Sequence, residues 1–202
     1  MKNVVFDFGQ VLVRFEPSYM VGKYVTDPAD AALLEEVVFD RLYWDRLDAG
    51  TISDEEVKEA VCQRIPPRLW EVARKIYDRW IYNIPEIEGM HELILRIKKS
   101  YGVSVYLLSN ISHYFADHAD EIPILRCIDR CVFSAKCGRV KPNRDIYEYL
   151  CADCGIRPEE TLFVDDRAEN VRGAEQVGIV GYLFDGDVAR LARYLDECLS
   201  HA

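Results

Sequence analysis

Five short apolar segments are spread along the chain, and each has the length of one β-strand. Their apolar residues follow one another without interruption instead of alternating with polar residues. That pattern is typical of strands covered on both faces, as in a parallel sheet. The predicted strands are residues 4–8, 103–109, 131–134, 162–165 and 180–184.

Helical periodicity lies before the second strand, between later strands and after the last one. The predicted helices are residues 87–99, 143–154, 168–177 and 187–199, with Gly178 as the C-cap of the third. Strands that alternate with helices indicate an α/β core, here a doubly wound, five-stranded, Rossmann-like parallel sheet.

The stretch between the first and second predicted strands is different. Residues 15–85 show no convincing strand, but they show helical periodicity over 31–39, 54–64 and 68–82. Ser53 followed by Glu56 is a capping-box signature for the middle helix. We therefore predict a core made of residues 1–14 and 86–202, interrupted by a small all-helical insertion of residues 15–85.

Composition narrows the function classes. The 202 residues include 25 Lys and Arg against 35 Asp and Glu, a formal net charge of −10, which argues against nucleic acid as the main partner. No apolar run approaches the roughly 18 to 20 residues that span a bilayer, and no signal-peptide pattern precedes the first strand. Seven cysteines, an odd number, indicate reduced thiols and predict a cytoplasmic protein without a membrane partner.

Cys151 and Cys154 have the spacing of a zinc or redox motif. They fall inside a predicted helix, however, and no second pair or histidine couple follows them. We interpret them as structural thiols, with metal or redox use as the alternative. The oligomeric state stays open, and a monomer is compatible with everything above.

Polar side chains follow the ends of four predicted strands. Open α/β sheets bind ligands beyond the carboxyl ends of their strands, at the point where the strand order reverses, so we expect these side chains to meet in one crevice. They are Asp7 near the end of the first strand, Ser109 and Asn110 at the end of the second, Lys141 after the third, and Asp165 and Asp166 at the end of the fourth.

Each residue type in this set has a task if the substrate is a phosphate ester. A carboxylate repels a phosphate dianion unless a divalent cation intervenes, and Asp7 with Asp165 or Asp166 offers the oxygen ligands that Mg²⁺ prefers. Lys141 adds a fixed positive charge, and Ser109 adds a hydrogen bond. Asp7 could then attack phosphorus and form an aspartyl-phosphate, which divides one difficult step into two.

The chain resembles the haloacid dehalogenase-like hydrolase superfamily over nearly its whole length. The resemblance rests on four motifs in family order, which are Asp7-Phe8-Gly9-Gln10-Val11, Leu108-Ser109-Asn110, Val140-Lys141-Pro142 and Phe163-Val164-Asp165-Asp166. It implies that the helical insertion is the family's small cap.

The resemblance also implies residue roles. Asp7 would be the nucleophile, and Ser109, Asn110 and Lys141 would bind the phosphate, with Ser109 and Lys141 also counted as catalytic. Mg²⁺ would be held by Asp7, by Asp166 directly, by Asp165 directly or through water, and by the carbonyl of Gly9. The implied activity is a Mg²⁺-dependent phosphatase of small phosphorylated metabolites.

Gly9 departs from the family pattern, which usually places a second Asp there as general acid and base. Losing general acid–base catalysis typically costs about 10² to 10⁴ in rate, or roughly 3 to 5 kcal/mol of barrier. Another residue, from the insertion or nearby, could replace it. We therefore expect substrates whose leaving oxygen needs little protonation, such as a sugar 1-phosphate. Bacterial sugar-phosphate phosphatases with Gly at this position resemble the chain.

Two other functions are compatible with the same residues. A dehalogenase or a phosphotransferase could use the same Asp nucleophile, although a dehalogenase attacks carbon and needs no cation beside Asp165 and Asp166. A non-catalytic phosphate-binding or interaction protein could keep the fold. Trp44, Trp70 and Trp80 of the insertion are interpreted as its core, with a substrate platform as the alternative.

Overall fold

The computed structural model describes residues 1–200 and contains one five-stranded sheet. All five predicted strands are present, and their bounds differ from the prediction by one or two residues. The strands are β1 (Asn3–Phe6), β2 (Ser104–Ser109), β3 (Arg130–Phe133), β4 (Thr161–Asp165) and β5 (Val180–Leu183).

The sheet is parallel throughout, with the strand order β3-β2-β1-β4-β5. The chain runs outward from β1 to β3 on one side and then returns to β4 on the other side of β1. The order therefore reverses between β1 and β4. Phe6 is in register with Val164 of β4, so the residue after β1 emerges beside the end of β4.

Both faces of the sheet are covered, which explains why the central strands have continuous apolar sequences. In β1, Val4 and Phe6 join the larger apolar cluster, whereas Val5 between them joins a second cluster. Helices pack on both sides of the sheet. They are α6 (Met90–Tyr101) and α11 (Val188–Leu199) on the first side and α9 (Arg144–Cys154) and α10 (Ala168–Glu175) on the second.

Two short helices follow strand ends, α7 (His113–Asp117) and α8 (Ser134–Cys137). The prediction of a helix over residues 168–177 capped by Gly178 is wrong at its end. Helix α10 ends at Glu175 with Gln176 as its C-cap. Gly178 lies in the following turn, where its N–H donates to the Glu175 carbonyl at 3.0 Å.

Residues 15–85 contain helices and no strand, as predicted. The helices are α1 (Pro17–Gly22), α2 (Pro28–Val38), α3 (Arg41–Asp48), α4 (Asp54–Arg64) and α5 (Trp70–Arg79). The Ser53–Glu56 capping box is present at the start of α4. The helix predicted over 68–82 is divided, because 3₁₀ turns at Pro67–Leu69 and Trp80–Tyr82 flank α5.

The helical insertion shares its apolar core with the sheet. Trp80 stacks on Phe115 of α7 with ring centroids 5.6 Å apart, and Phe115 in turn contacts Phe8 at 4.6 Å. All three rings belong to the larger apolar cluster. The division of the chain into a core and a cap domain stays a prediction.

The thiols of all seven cysteines are free. Burial raises the pKa of Cys151 and of Cys154 to about 11, so both are neutral near pH 7. Neutral, half-buried thiols on α9 fit a structural interpretation of this pair. Within residues 1–200, no helix has the length and apolarity required to cross a bilayer.

Candidate active site

Asp7 lies directly after β1 at the reversal of strand order. Its backbone N–H donates to the Val164 carbonyl at 2.9 Å, which continues the β1–β4 pairing by one more residue. The turn that follows contains Gly9 and then Gln10, whose φ of 57° places it in the left-handed region. The turn bends the chain away from the sheet and leaves the Asp7 side chain at the strand end.

Lys141 is the centre of a buried ion cluster. Its Nζ lies 2.7 Å from Asp7 Oδ1 and 2.7 Å from Asp165 Oδ2. Lys141 is 5% exposed and Asp165 0%. The structure thus joins residues 7, 141 and 165 through one ammonium group, although they are far apart in sequence.

Asp165 is held by more than Lys141. The Asn170 side-chain amide lies 3.0 Å from both carboxylate oxygens, and the Arg167 backbone N–H donates to Oδ1 at 2.8 Å. Asp165 does not border the cavity described below, whereas its neighbour Asp166 does. This arrangement favours Asp166 over Asp165 as the group that meets a ligand directly.

Asn110 positions the backbone of Lys141. Its amide nitrogen donates to the Lys141 carbonyl at 3.0 Å, and its Oδ1 accepts from the Lys141 N–H at 2.8 Å. The peptide between Lys141 and Pro142 is cis. Ser109 and Asn110 both border the cavity. Their contacts with phosphate stay predictions.

The cluster has more negative than positive charge. Burial raises the pKa of the Asp7 carboxyl, with Lys141 opposing the rise and Asp165 adding to it. Burial, helped by the charge of Asp165, also raises the pKa of Asp166. Burial alone would lower the pKa of Lys141, but the charges of Asp7 and Asp165 outweigh it and raise that pKa.

The donor set suits a hard divalent cation. Asp7, Asp165 and Asp166 each place one carboxylate oxygen within 4.8 Å of the others, and they are the one such group among residues 1–200. Three carboxylates face a single ammonium, and all the donors are oxygens. Mg²⁺ prefers oxygen ligands, so these residues fit the predicted ion.

A cavity of about 470 Å³ opens beside this cluster. That volume is in the range of small-molecule sites. One wall consists of strand-end residues, namely Asp7, Gly9, Ser109, Lys141 and Asp166. A second wall comes from the helical insertion and consists of aromatic rings and one face of α3. Its residues are Phe15, Phe39, Arg41, Trp44, Asp45, Asp48 and Trp80.

The three tryptophans of the insertion differ in whether they belong to its core or also border the cavity. Trp44 and Trp80 are buried in the apolar core and also border the cavity, so they are both core and wall. Trp70 is 45% exposed and does not border it. The aromatic rings of the insertion wall can hold the organic part of a ligand whose anionic part lies at the strand ends.

Sequence reasoning missed the face of α3, because this helix was not predicted. The sequence does contain a signal for this helix. Asp40 is an N-cap residue, with its Oδ1 accepting from the Leu42 N–H at 2.9 Å, and Trp44 and Leu47 then recur at helical spacing. The high proportion of charged residues in Arg41–Asp48 hid this pattern.

Comparison with known proteins places this geometry in a family. The family model described as haloacid dehalogenase-like hydrolase matches residues 1–178. A D-ribitol-5-phosphate phosphatase of Bacteroides thetaiotaomicron is 27% identical over 186 residues, which cover 88% of this chain and 89% of the relative. A sesquiterpene phosphatase of Aspergillus oryzae is 26% identical over 184 residues, covering 89% of this chain and 88% of the relative.

A solved structure shows the same fold. It is a family enzyme of Bacteroides thetaiotaomicron in complex with magnesium and inorganic phosphate, and it aligns with a TM-score of 0.69 at 19% identity. The alignment covers 95% of this chain and 98% of that one. The architecture of sheet and helices is therefore common to the two proteins over almost their full lengths.

Proposed function

The chain belongs to the haloacid dehalogenase-like hydrolase family, and on that premise we propose that it is a Mg²⁺-dependent phosphatase of small phosphorylated metabolites. The observation that supports this most strongly is the buried cluster in which Lys141 Nζ lies 2.7 Å from Asp7 and from Asp165, with Asp166 beside it. The two curated relatives named above are both phosphatases.

Asp7, Asp166 and the Gly9 carbonyl would hold Mg²⁺. The Asp165 carboxylate is already engaged by Asn170 and Lys141 and would not bind the ion directly. A bound Mg²⁺ neutralises phosphate charge and so permits a dianion to approach carboxylates. The excess of negative charge in the cluster is the reason that such an ion would bind.

Asp7 would act as the nucleophile. One of its carboxylate oxygens attacks phosphorus, the bond from phosphorus to the leaving oxygen breaks, and an aspartyl-phosphate forms on Asp7. Lys141 and Ser109 would position the phosphoryl oxygens and stabilise their charge. Because Lys141 is tied to Asp7 and Asp165, its ammonium is already oriented before substrate binds.

The substrate class follows from the two walls of the cavity. The strand-end wall would take the phosphate, and the aromatic and polar wall of the insertion would take a small organic group. Sugar or polyol phosphates, a sugar 1-phosphate among them, have the right size for a cavity of about 470 Å³. A dehalogenase is less consistent with the site, because attack on carbon requires no cation beside three carboxylates.

The test is turnover of an aryl phosphate, a sugar 1-phosphate and an alkyl phosphate, each with Mg²⁺ and with chelator. Asp7→Asn should lower turnover of all three by about 10⁵-fold, on the scale of other lost nucleophiles. Asp153→Asn is the matched control. Asp153 forms an ion pair with Arg130 at 2.6 Å, and neither residue borders the cavity. Phosphate binding without turnover by the parent chain would support a non-catalytic protein instead, and activity indifferent to chelator would exclude the metal.

A further inference from the structure

The proposed reaction requires a group that can give and take a proton. The leaving oxygen must receive one when it departs, and the water that later hydrolyses the aspartyl-phosphate must lose one. Gly9, two residues after Asp7, has no side chain to do this. Asp7 and Asp165 are both bound to Lys141, so neither is free for the task.

Two further carboxyl groups border the cavity, and both belong to α3. Asp45 is exposed and pairs with Arg41 at 2.9 Å between Oδ1 and Nη2. Asp48 lies one turn further along the same helix face and is partly buried. Among residues 1–200, no hydrogen bond or ion pair engages the Asp48 carboxyl group, which leaves it available to a ligand.

The position of Asp48 is fixed from the side of the sheet. Its backbone carbonyl accepts a hydrogen bond from Ser134 Oγ at 2.5 Å. Ser134 Oγ in turn accepts a hydrogen bond from the Ile111 N–H at 2.8 Å. Gly50, two residues later, has a φ of +68°, and a Cβ there would lie 3.3 Å from the Ala135 carbonyl oxygen and from His113 Nε2. The end of α3 is thus bound to the start of α8, which follows β3, and lies close to His113 of α7, which follows β2.

We propose that Asp48 is the general acid and base of this phosphatase, supplied by the insertion in place of the side chain that Gly9 lacks. The proposal rests on the proposed function, and it adds a catalytic residue from the insertion that borders the same cavity as Asp7.

The electrostatic surroundings of Asp48 agree with this role. Burial and the charge of Asp45 raise the pKa of the Asp48 carboxyl to about 7, with Asp7 adding to the rise and Arg41 and Lys141 opposing it. Further titratable or charged groups nearby are Asp166 and Arg167, which border the same cavity, and His113, whose Nε2 would lie 3.3 Å from a Cβ at Gly50. A carboxyl group with this pKa is present in both protonation states near neutral pH, as an acid and base must be.

The reaction then balances in two steps. In the first, an Asp7 oxygen bonds to phosphorus, the phosphorus–oxygen bond of the ester breaks, and protonated Asp48 gives its proton to the leaving oxygen to release an alcohol. In the second, ionised Asp48 takes a proton from water as the water oxygen bonds to phosphorus. The bond between Asp7 and phosphorus breaks, inorganic phosphate leaves, and Asp48 is protonated again.

The test compares Asp48→Asn with Asp30→Asn, a control in α2 of the insertion whose carboxylate pairs with Arg68 at 2.7 Å and does not border the cavity. With an alkyl phosphate, Asp48→Asn should lower kcat/KM by about 10² to 10⁴. With an aryl phosphate, whose leaving oxygen needs little protonation, the first step should persist while the second slows. Acid quenching should then trap phosphorylated Asp7 in Asp48→Asn and not in Asp30→Asn. Equal losses on both substrates without trapped phosphoenzyme would overturn the proposal.

A rescue experiment separates chemistry from structure. A Cβ at Gly9 would have no heavy atom within 4 Å, so the first side-chain carbon of Gly9→Asp meets no obstacle. This change should raise the alkyl phosphatase activity of Asp48→Asn by a much larger factor than that of the parent. Equal gains in both backgrounds would overturn the role of Asp48. Absence of turnover by the parent with every phosphate would instead refute the proposed function, and the role of Asp48 with it.

Discussion

The two walls of the cavity differ in how their charged groups are compensated. On the strand-end wall, Lys141 pairs with Asp7 and Asp165, and Asn170 adds hydrogen bonds to Asp165. On the wall from the insertion, the Asp48 carboxyl group has no such partner among residues 1–200. A partnered cluster is held in one geometry, whereas an unpartnered group can change its protonation state at little structural cost.

This difference separates two tasks. Removing one member of a buried ion cluster leaves an uncompensated charge, so the strand-end wall tolerates little change. The insertion wall consists of aromatic rings and helix α3, and it can vary without disturbing the cluster. We infer that the core determines the phosphoryl chemistry and that the insertion determines the leaving group.

The largest expected effect on stability comes from Lys141→Met. It leaves two buried carboxylates facing each other, which should lower the free energy of unfolding by about 3–5 kcal/mol. The control is Lys136→Met, which breaks an exposed pair with Asp117 at 2.5 Å and should cost about 0–1 kcal/mol. Urea unfolding without Mg²⁺ measures both, and equal losses would show that the two ammonium groups are equally replaceable.

A smaller effect is expected from Gly173→Ala in α10. A Cβ at Gly173 would lie 2.5 Å from the Pro142 carbonyl oxygen and 2.8 Å from the Tyr147 ring, so the loop that holds Lys141 must move. We expect a loss of about 1–3 kcal/mol on thermal or urea unfolding, together with lower kcat.

The control for that change is Gly22→Ala, where a Cβ meets no heavy atom within 4 Å. It should leave stability and kcat nearly unchanged. If Gly173→Ala behaves in the same way, the close contact of α10 with the Lys141–Pro142 segment is not needed to hold the cluster.

The third effect concerns the insertion wall and depends on pH. Because the pKa of Asp48 is raised to about 7 from an ordinary value of 3.8, the folded state holds the proton more tightly than the unfolded state. The stability contributed by this group is complete below about pH 4 and disappears as pH rises through 7. Asp48→Asn should therefore gain stability relative to the parent between pH 5 and pH 8.

Urea unfolding at the two pH values, without Mg²⁺, measures this difference. Asp120→Asn, a change at an exposed residue, should show no such gain. If the free energy of unfolding depends on pH in the same way in the parent and in Asp48→Asn, folding does not raise the pKa of the Asp48 carboxyl group.

Much of the strand-end wall could be predicted from sequence. Asp7 and Asp166 directly follow β1 and β4, Ser109 ends β2, and Lys141 comes after β3 and α8. In a parallel sheet the carboxyl ends of the strands meet at one edge. Local signals of this kind are short in range and survive in a single sequence. The ion pairs of Lys141 were not predicted, because nothing local shows that one ammonium lies between two carboxylates.

By itself, then, the sequence determined the α/β sheet, the helical insertion and the residues at the strand ends, since periodicity and strand-end position are local properties. Only the tertiary structure decided that Asp48 borders the same cavity as Asp7. That contact depends on how α3 packs against the loop at Ser134, across 86 residues of sequence. Packing between distant segments has no local pattern, and so this carboxyl group became visible only in the folded chain.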